Sequence, residues 1–321
     1  MTTEQTRSGG WIARRKTSIL PLVFLAAEVA VFESLNQNFL KPENLVAIGD
    51  QMALILPLAL AGTFVIMLGS FDLSITSILA MSGIVTAIYF PTFGYTGVLF
   101  GILVGLILGT VNGFIFVIAK IPSFVVTIGT MVTYGGLALI VMQGGQSIQL
   151  YTPAFRSLAV AKAGGVDLII IWSLLVCLVS YYVLSQTKFG RQTQALGANI
   201  EAARRAGINI RRQRILSFTI SGVLCGVVGV LYVAYSGQAS PSIGSNLLLP
   251  AVAAMVVGGN PITGGVGGAH RTLLGAIILS ILFNGLILLV IPTNVQTIIY
   301  GVVVVLAIAA TLDRERVKLI R

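Results

Sequence analysis

The chain has 321 residues, of which 56% are hydrophobic and only 9% are charged. Soluble domains carry about 25% charged residues, so this composition excludes a soluble globular fold. The net charge of +10 does not indicate nucleic-acid binding, because the basic residues lie between hydrophobic runs and at the termini, which is typical of cytoplasmic loops.

Hydrophobic segments of membrane-spanning length recur from one end of the chain to the other. In chain order they cover residues 19–39, 45–68, 73–90, 96–118, 121–142, 166–185, 215–236, 247–259, 271–291 and 294–311. The eighth segment is short and is interrupted by Gly258 and Gly259, which is typical of a broken or re-entrant helix. We therefore expect an all-α polytopic membrane bundle of about ten transmembrane helices, forming a single domain over residues 1–321.

The distribution of basic residues predicts the orientation of this bundle. If the N-terminus is cytoplasmic and ten helices cross the membrane, every one of the 20 basic residues except Lys41, Arg156 and Lys162 lies on the cytoplasmic side. Lysine and arginine concentrate in cytoplasmic loops, so both termini are expected there. Five segments lie on each side of the outside loop 143–165, and this odd number would permit an inverted repeat, although the two halves are only faintly alike.

Glycines at four-residue intervals mark the fourth and seventh segments. They are Gly101, Gly105, Gly109 and Gly113 in the fourth segment and Gly222 and Gly226 in the seventh. Such a face lets a neighbouring helix approach closely, because no side chain separates the two backbones. The pattern predicts tight packing of the bundle and does not itself indicate a binding site.

Polar side chains form a stripe on the fifth segment. Ser123, Thr127, Thr130 and Tyr134 are spaced by four, three and four residues, so they share one helical face. Asn112 and Asn284 add amides within other segments. We interpret these six residues as candidates for the translocation pathway of a polar solute. The alternative is that the hydroxyls satisfy carbonyls of their own helix.

Titratable residues within the segments are few. Glu28 lies deepest, in the first segment, and a proton-coupled carrier would need such a carboxyl group. Asp72 precedes the third segment and is predicted to cap that helix. The single histidine, His270, and the cysteines Cys177 and Cys225 form neither a catalytic set nor a metal site, so no catalytic residues and no metal are expected.

The longest predicted cytoplasmic connection, residues 186–214, is strongly basic. Residues 199–206 favour a helix that Asn199 begins and Gly207 ends. The chain has no GxxxxGK[ST] sequence, so an ATPase would be a separate polypeptide docked on this loop. The loop alone is also compatible with a simple topological anchor. The residues that we expect to couple to the ATPase are Gly197, Asn199, Glu201, Ala203, Arg204 and Gly207.

Several motifs together resemble the ribose-type ABC transporter permeases. They are the loop 197–208, the run Ile121 to Met131, the segment Phe71-Asp72-Leu73-Ser74, and the run Val257 to Gly267. These motifs occur in the expected order over nearly the whole chain. The chain departs from the resemblance in Gly69-Ser70-Phe71, where the family often has Gly-Gly-Ile, and at His270-Arg271, where small residues are usual.

The resemblance implies a permease subunit in a bacterial cytoplasmic (inner) membrane, importing a monosaccharide or a similar small polar solute. It implies a second permease chain, identical or homologous, two ATP-binding cassette subunits and an extracytoplasmic solute-binding protein, with no nucleic-acid partner. ATP and Mg²⁺ would be bound by the ATPase subunits and no cofactor by this chain, which would not be an enzyme. The alternative is a proton-coupled secondary carrier for a small polar solute.

Overall fold

The computed structural model describes residues 21–311, and most of them are helical. The helices are α1 (21–35), α2 (Pro42–Ile66), α3 (Ile75–Phe93), α4 (Tyr95–Ala119), α5 (Ser123–Val141), α6 (Pro153–Val160), α7 (Leu168–Gln186), α8 (Lys188–Ala198), α9 (Ile200–Arg205), α10 (Ile210–Ser236), α11 (Leu248–Val257), α12 (Ala269–Leu288) and α13 (Thr293–Thr311). Two short antiparallel ladders join β1 (Ile148–Gln149) to β4 (Gln238–Ala239) and β2 (Lys162–Ala163) to β3 (Val166–Asp167).

Each of the ten predicted hydrophobic segments coincides with a helix. Within the described residues, seven helices are long and apolar enough to cross a membrane: α2, α3, α4, α5, α7, α10 and α12. Helix α11 has 10 residues, so at a rise of about 1.5 Å per residue it is too short for a hydrocarbon core about 30 Å thick. The eighth segment is therefore broken at Gly258, as the sequence predicted.

The connecting loops contain helices that hydropathy did not reveal. Helix α6 lies in the loop 143–165, and α8 precedes α9 in the loop 186–214. The predicted start of the seventh segment at residue 215 is wrong, because α10 begins at Ile210. Arg211, Arg212 and Arg214 lower the hydropathy of its first turns without interrupting the helix.

The core lies around α2, α3 and α10, whose buried faces include Leu56, Ile78 and Val233. Helices α5 and α7 lie at the periphery, and each exposes large apolar side chains along one side. This distribution is typical of a chain whose outer surface faces lipid or another apolar surface.

Glycines bring α4 and α10 into backbone contact. A Cβ added at Gly105 would lie 2.8 Å from the Cα of Gly226, and closer still to the carbonyl oxygen of Gly222. A Cβ added at Gly222 would lie 2.7 Å from the Cα of Gly109. The predicted close packing of the glycine faces is confirmed. Gly105, Gly109 and Gly113 pack against α10, whereas Gly101 packs against Ser82 and Thr86 of α3.

The basic flanks used to assign the orientation lie outside the described residues. They are Arg7, Arg14, Arg15 and Lys16 before α1, and Arg314, Arg316, Lys318 and Arg321 after α13.

Candidate functional site

Asp72 is the centre of a buried polar cluster between α2 and α3. Its carboxylate is 3% exposed. Oδ1 accepts hydrogen bonds from the backbone N and the Oγ of Ser74 at 3.0 and 2.6 Å, and Oδ2 accepts one from Ser221 Oγ of α10 at 3.1 Å. The N-cap residue of α3 is Ser74 rather than Asp72, although Asp72 accepts a hydrogen bond from the backbone N–H of Ser74 at the start of this helix, as the prediction required. Asp72 also connects the α2–α3 link to a distant helix.

The cluster continues from Asp72 to α4 and α5. Asn112 Nδ2 donates to Ser74 Oγ at 2.7 Å, and the hydroxyl of Tyr134 donates to Asn112 Oδ1 at 2.9 Å. Asp72, Ser74, Asn112, Tyr134 and Ser221 therefore join α3, α4, α5 and α10. We call these five residues the Asp72 cluster. The structure thus brings together two of the predicted pathway residues, Asn112 and Tyr134.

The remaining residues of the predicted stripe lie on the same buried face of α5. Ser123 Oγ accepts a hydrogen bond from the backbone N of Phe71 at 2.9 Å, and the Thr127 hydroxyl lies 3.5 Å from the carbonyl oxygen of Phe71. Thr130 donates to the carbonyl of Thr127 at 3.4 Å, within its own helix. The stripe therefore holds α5 against the link that carries Asp72.

Asn284 lies apart from this cluster. Its Oδ1 accepts a hydrogen bond from Asn44 Nδ2 at 2.8 Å, and the same Nδ2 also donates to the carbonyl of Phe39. These contacts join α12 to the start of α2. The structure does not bring Asn284 together with the other predicted pathway residues.

Glu28 is buried in α1, with 7% of its surface exposed. Within residues 21–311, neither of its carboxylate oxygens has a hydrogen-bond partner. An unpaired carboxyl group in an apolar environment is costly when charged, so Glu28 favours the alternative of proton coupling.

The predicted coupling helix is present as α9. Asn199 Oδ1 accepts a hydrogen bond from the backbone N of Ala202 at 3.0 Å, which makes Asn199 the N-cap. Gly207 has a φ of 76°, and the N of Ile208 donates to the carbonyl of Ala203 at 3.1 Å, so the helix ends in a left-handed turn as predicted. Exposed Glu201 and Arg204 form an ion pair at 3.0 Å.

The segment formed by α8 and α9, which we call the coupling segment, packs against the end of α2. Leu196 and Ala203 form a small apolar cluster with Leu68. A Cβ added at Gly197 would lie 2.5 Å from the N of Gly265 and closer still to the carbonyl oxygen of Met67. The coupling segment therefore contacts both the α2–α3 link and the loop 258–268.

Asn260 organises that loop, although it was not among the predicted site residues. It is fully buried. Its Nδ2 donates to Thr272 Oγ1 at 2.9 Å, and its Oδ1 accepts from the N of Gly268 at 2.8 Å. Thr272 in turn shares a hydrogen bond of 2.7 Å with Thr63 of α2. Only the glycine-rich run around Asn260 pointed to this loop, and it did so through family resemblance.

The arrangement links the coupling segment to the polar interior of the chain. Met67, which contacts Gly197, and Asp72, which binds α10, belong to one short link between α2 and α3. A displacement of the coupling segment would therefore act directly on the segment that the Asp72 cluster holds.

We expect Asp72→Asn to reduce solute uptake at least tenfold while leaving the protein folded. The amide has the shape of the carboxylate and its oxygen can still accept the bonds from Ser74, but its NH₂ group replaces the oxygen that accepts the bond from Ser221 of α10. Initial uptake rates at matched expression measure the effect. Ser280→Ala is the control, because the Ser280 hydroxyl donates to the carbonyl of Ala276 in its own helix and forms no other hydrogen bond within the described part of the chain. Normal uptake in Asp72→Asn would contradict a functional role for the cluster.

Comparison with known families gives a match over most of the chain. Residues 44–308 match the model of the family described as branched-chain amino acid transport system / permease component. Permeases for sugars are among its relatives. The ribose import permease protein RbsC of Escherichia coli K12 is 31% identical over 317 residues, covering 95% of this chain and 98% of that protein.

Two further relatives have similar coverage. The D-allose transport system permease protein AlsC of Escherichia coli K12 is 31% identical, over 90% of this chain and 89% of that protein. The L-arabinose ABC transporter permease protein AraH of Azospirillum brasilense is 32% identical, over 95% of this chain and 89% of that protein.

A solved structure shares the fold. It is an inward-facing conformation of an ABC transporter assigned to the metal-chelate type, with a TM-score of 0.52 over 93% of this chain and 100% of that chain. The sequence identity is 17%, so this likeness concerns the fold alone.

Proposed function

The chain belongs to the family described as branched-chain amino acid transport system / permease component, and we propose that, within this family, its solute is a monosaccharide. It is a multi-pass membrane protein and the permease subunit of an ATP-driven ABC importer. The observation that carries the proposed substrate class is the similarity of about 31% over most of the chain to ribose, allose and arabinose permeases.

The proposed topology has ten helices in the bacterial inner membrane, with both termini in the cytoplasm. The charge distribution supports it, because it places Lys120, the coupling segment and both basic flanks on one side. In this topology the eighth crossing is made by α11 together with non-helical residues at its ends, which keeps the number of crossings even. The proposed architecture also includes an inverted repeat, with α1 to α5 as its first half.

The proposed partners are two ATPase subunits, an extracytoplasmic solute-binding protein and a second permease chain. ATP and Mg²⁺ would be bound by the ATPase, since this chain has no GxxxxGK[ST] sequence. The coupling segment supports the docking of an ATPase, because α9 is capped at both ends and presents Glu201 and Arg204 to solvent. A push on α9 would reach Met67 through Gly197 and Gly265.

The proposed pathway includes the polar stripe of α5. Ser123, Thr127 and Tyr134 now bond other parts of the same chain. In alternating access, separation of α5 from the α2–α3 link would free these hydroxyls for the hydroxyls of a sugar. Thr130 and Asn112 would lie along the same path. Asn284 would meet the solute near the outer, C-terminal end of α12.

Proton-coupled transport without ATP is the second candidate, and buried Glu28 favours it. The two candidates differ in their energy source. An ATP-driven importer stops when ATP hydrolysis is blocked by vanadate, whereas a proton-coupled carrier stops when a protonophore dissipates the proton gradient.

Uptake of labelled monosaccharides tests the proposal. Proteoliposomes containing the chain with its ATPase subunits, and supplied with the binding protein, receive ribose, arabinose, allose or leucine. We expect at least one sugar to enter at a rate at least tenfold above the leucine rate, to depend on internal ATP and to be insensitive to protonophore. Uptake of leucine in preference to all sugars would contradict the substrate class, and protonophore-sensitive uptake without ATP would contradict the mechanism.

A further inference from the structure

A basic cavity of about 460 Å³ lies where α4 ends and α10 begins, beside the last turn of α9. Its charged lining residues are Lys120, Arg204, Arg211 and Arg214, and the apolar lining includes Val117 and Ile208. The volume lies within the range of about 300–1,000 Å³ that is usual for small-ligand pockets. The cavity therefore combines positive charge with apolar walls.

The charges of this cavity are incompletely balanced within the chain. Arg204 pairs with Glu201. The guanidinium of Arg214 lies 4.7 Å from the ring centroid of Phe116, a cation–π contact that leaves its charge in place. Among the hydrogen bonds and ion pairs formed between residues 21 and 311, none joins Lys120, Arg211 or Arg214 to a carboxylate. Like charges around one cavity repel each other, so a bound anion would stabilise it.

The surface beside the cavity is apolar and exposed. The end of α4 presents Phe114 and Ile118, which are 48% and 73% exposed, and Ile121 follows at 40%. In the proposed orientation this surface lies at the depth of the acyl chains of the cytoplasmic leaflet. A lipid whose anionic headgroup enters the cavity would place its acyl chains on this apolar surface. A small soluble anion or an acidic protein side chain has no acyl chains to cover it.

We propose that the cavity binds the phosphate headgroup of an anionic glycerophospholipid from the cytoplasmic leaflet. Basic pockets at the cytoplasmic ends of transmembrane helices suit such headgroups. The choice of leaflet rests on the orientation given under the proposed function. Arg204 belongs to α9, so the bound lipid braces the coupling segment against α4 and α10 and makes coupling sensitive to the lipid composition.

Lipid binding by the full purified chain tests the proposal. The delipidated protein in detergent receives phosphatidylglycerol or phosphatidylcholine, and bound lipid is counted by native mass spectrometry over a concentration series. We expect phosphatidylglycerol to bind at least tenfold more tightly than phosphatidylcholine. The double variant Arg211→Gln/Arg214→Gln should weaken that binding at least tenfold. The matched control Arg205→Gln/Arg212→Gln removes the same charge from neighbouring positions of α9 and α10, outside the cavity lining, and should bind as the unchanged chain does.

Four results would overturn the proposal. The first is equal binding of the two lipids, and the second is an equal loss in the two double variants. The third is displacement of phosphatidylglycerol by inorganic phosphate at the concentration of the lipid, which would identify a soluble-anion site. If Arg211→Gln/Arg214→Gln releases the ATPase subunit while lipid binding is unchanged, the cavity is a protein interface instead. The assay involves no transport, so a failure of the sugar-uptake experiment leaves it interpretable.

Discussion

Gly105→Ala is expected to lower the thermal stability of the purified protein, whereas Gly135→Ala is expected to preserve or raise it. The two substitutions are chemically identical and both lie within helices. At Gly105 the added Cβ would lie 2.8 Å from the Cα of Gly226 and closer to the carbonyl of Gly222, and backbone atoms cannot rotate away. At Gly135, among residues 21–311, no heavy atom beyond its chain neighbours and the backbone of its own helix lies within 4 Å of the added Cβ.

The two variants are expected to change thermal stability in opposite directions, because overpacking dominates at Gly105 and helix propensity dominates at Gly135. Overpacking costs roughly 1–3 kcal/mol or more, which exceeds the gain of about 1 kcal/mol in helix propensity from glycine to alanine. At Gly135 only the propensity term acts. The apparent unfolding midpoint in detergent, measured for both variants in parallel, gives the comparison. Equal shifts in the two variants would contradict the close packing of α4 on α10.

Gly197→Ala is expected to separate ATP hydrolysis from uptake. The added methyl group would overlap the carbonyl oxygen of Met67 and lie 2.5 Å from the N of Gly265. The coupling segment would then move away from the α2–α3 link, although α9 itself and its exposed ion pair would be unchanged. In the reconstituted complex we expect ATP hydrolysis to continue while solute uptake falls at least tenfold.

Gly135→Ala is the control for this experiment. It is the same substitution in α5, away from the coupling segment, and among residues 21–311 no heavy atom beyond its chain neighbours and the backbone of its own helix lies within 4 Å of the added Cβ. Uptake per ATP hydrolysed should therefore remain close to that of the unchanged chain. If Gly197→Ala kept the same ratio of uptake to hydrolysis as Gly135→Ala, the contact between Gly197 and Met67 would not transmit the coupling.

The sequence predicted the helices well because the membrane imposes a simple rule. A spanning segment must be long, apolar and helical to satisfy its backbone in lipid, so ten segments could be located by hydropathy. The close packing of α4 and α10 could also be predicted, because their glycines recur at four-residue intervals in the sequence. The same rule failed at Ile210, since the arginines at the start of α10 belong to a helix that extends beyond the apolar core.

The polar cluster could be predicted only in part. The spacing on α5 placed Ser123, Thr127, Thr130 and Tyr134 on one face, which is the buried face. Their partners could not be read from spacing, because the bond from Ser221 to Asp72 joins residues 149 positions apart. Asp72 was assigned a local cap for the same reason, since a helix-cap rule considers only neighbouring residues.

The central claim is that an external ATPase drives this permease through the coupling segment. Copurification is the most direct test of this claim. The chain is expressed with its native neighbours, extracted in mild detergent and assayed for ATP hydrolysis. We expect a stoichiometric ATPase subunit, and we expect it to be lost in Ala203→Asp, because Ala203 is 2% exposed and a carboxylate there would displace α9. A chain that purifies alone and moves solute into liposomes without ATP would contradict the claim and direct attention to Glu28.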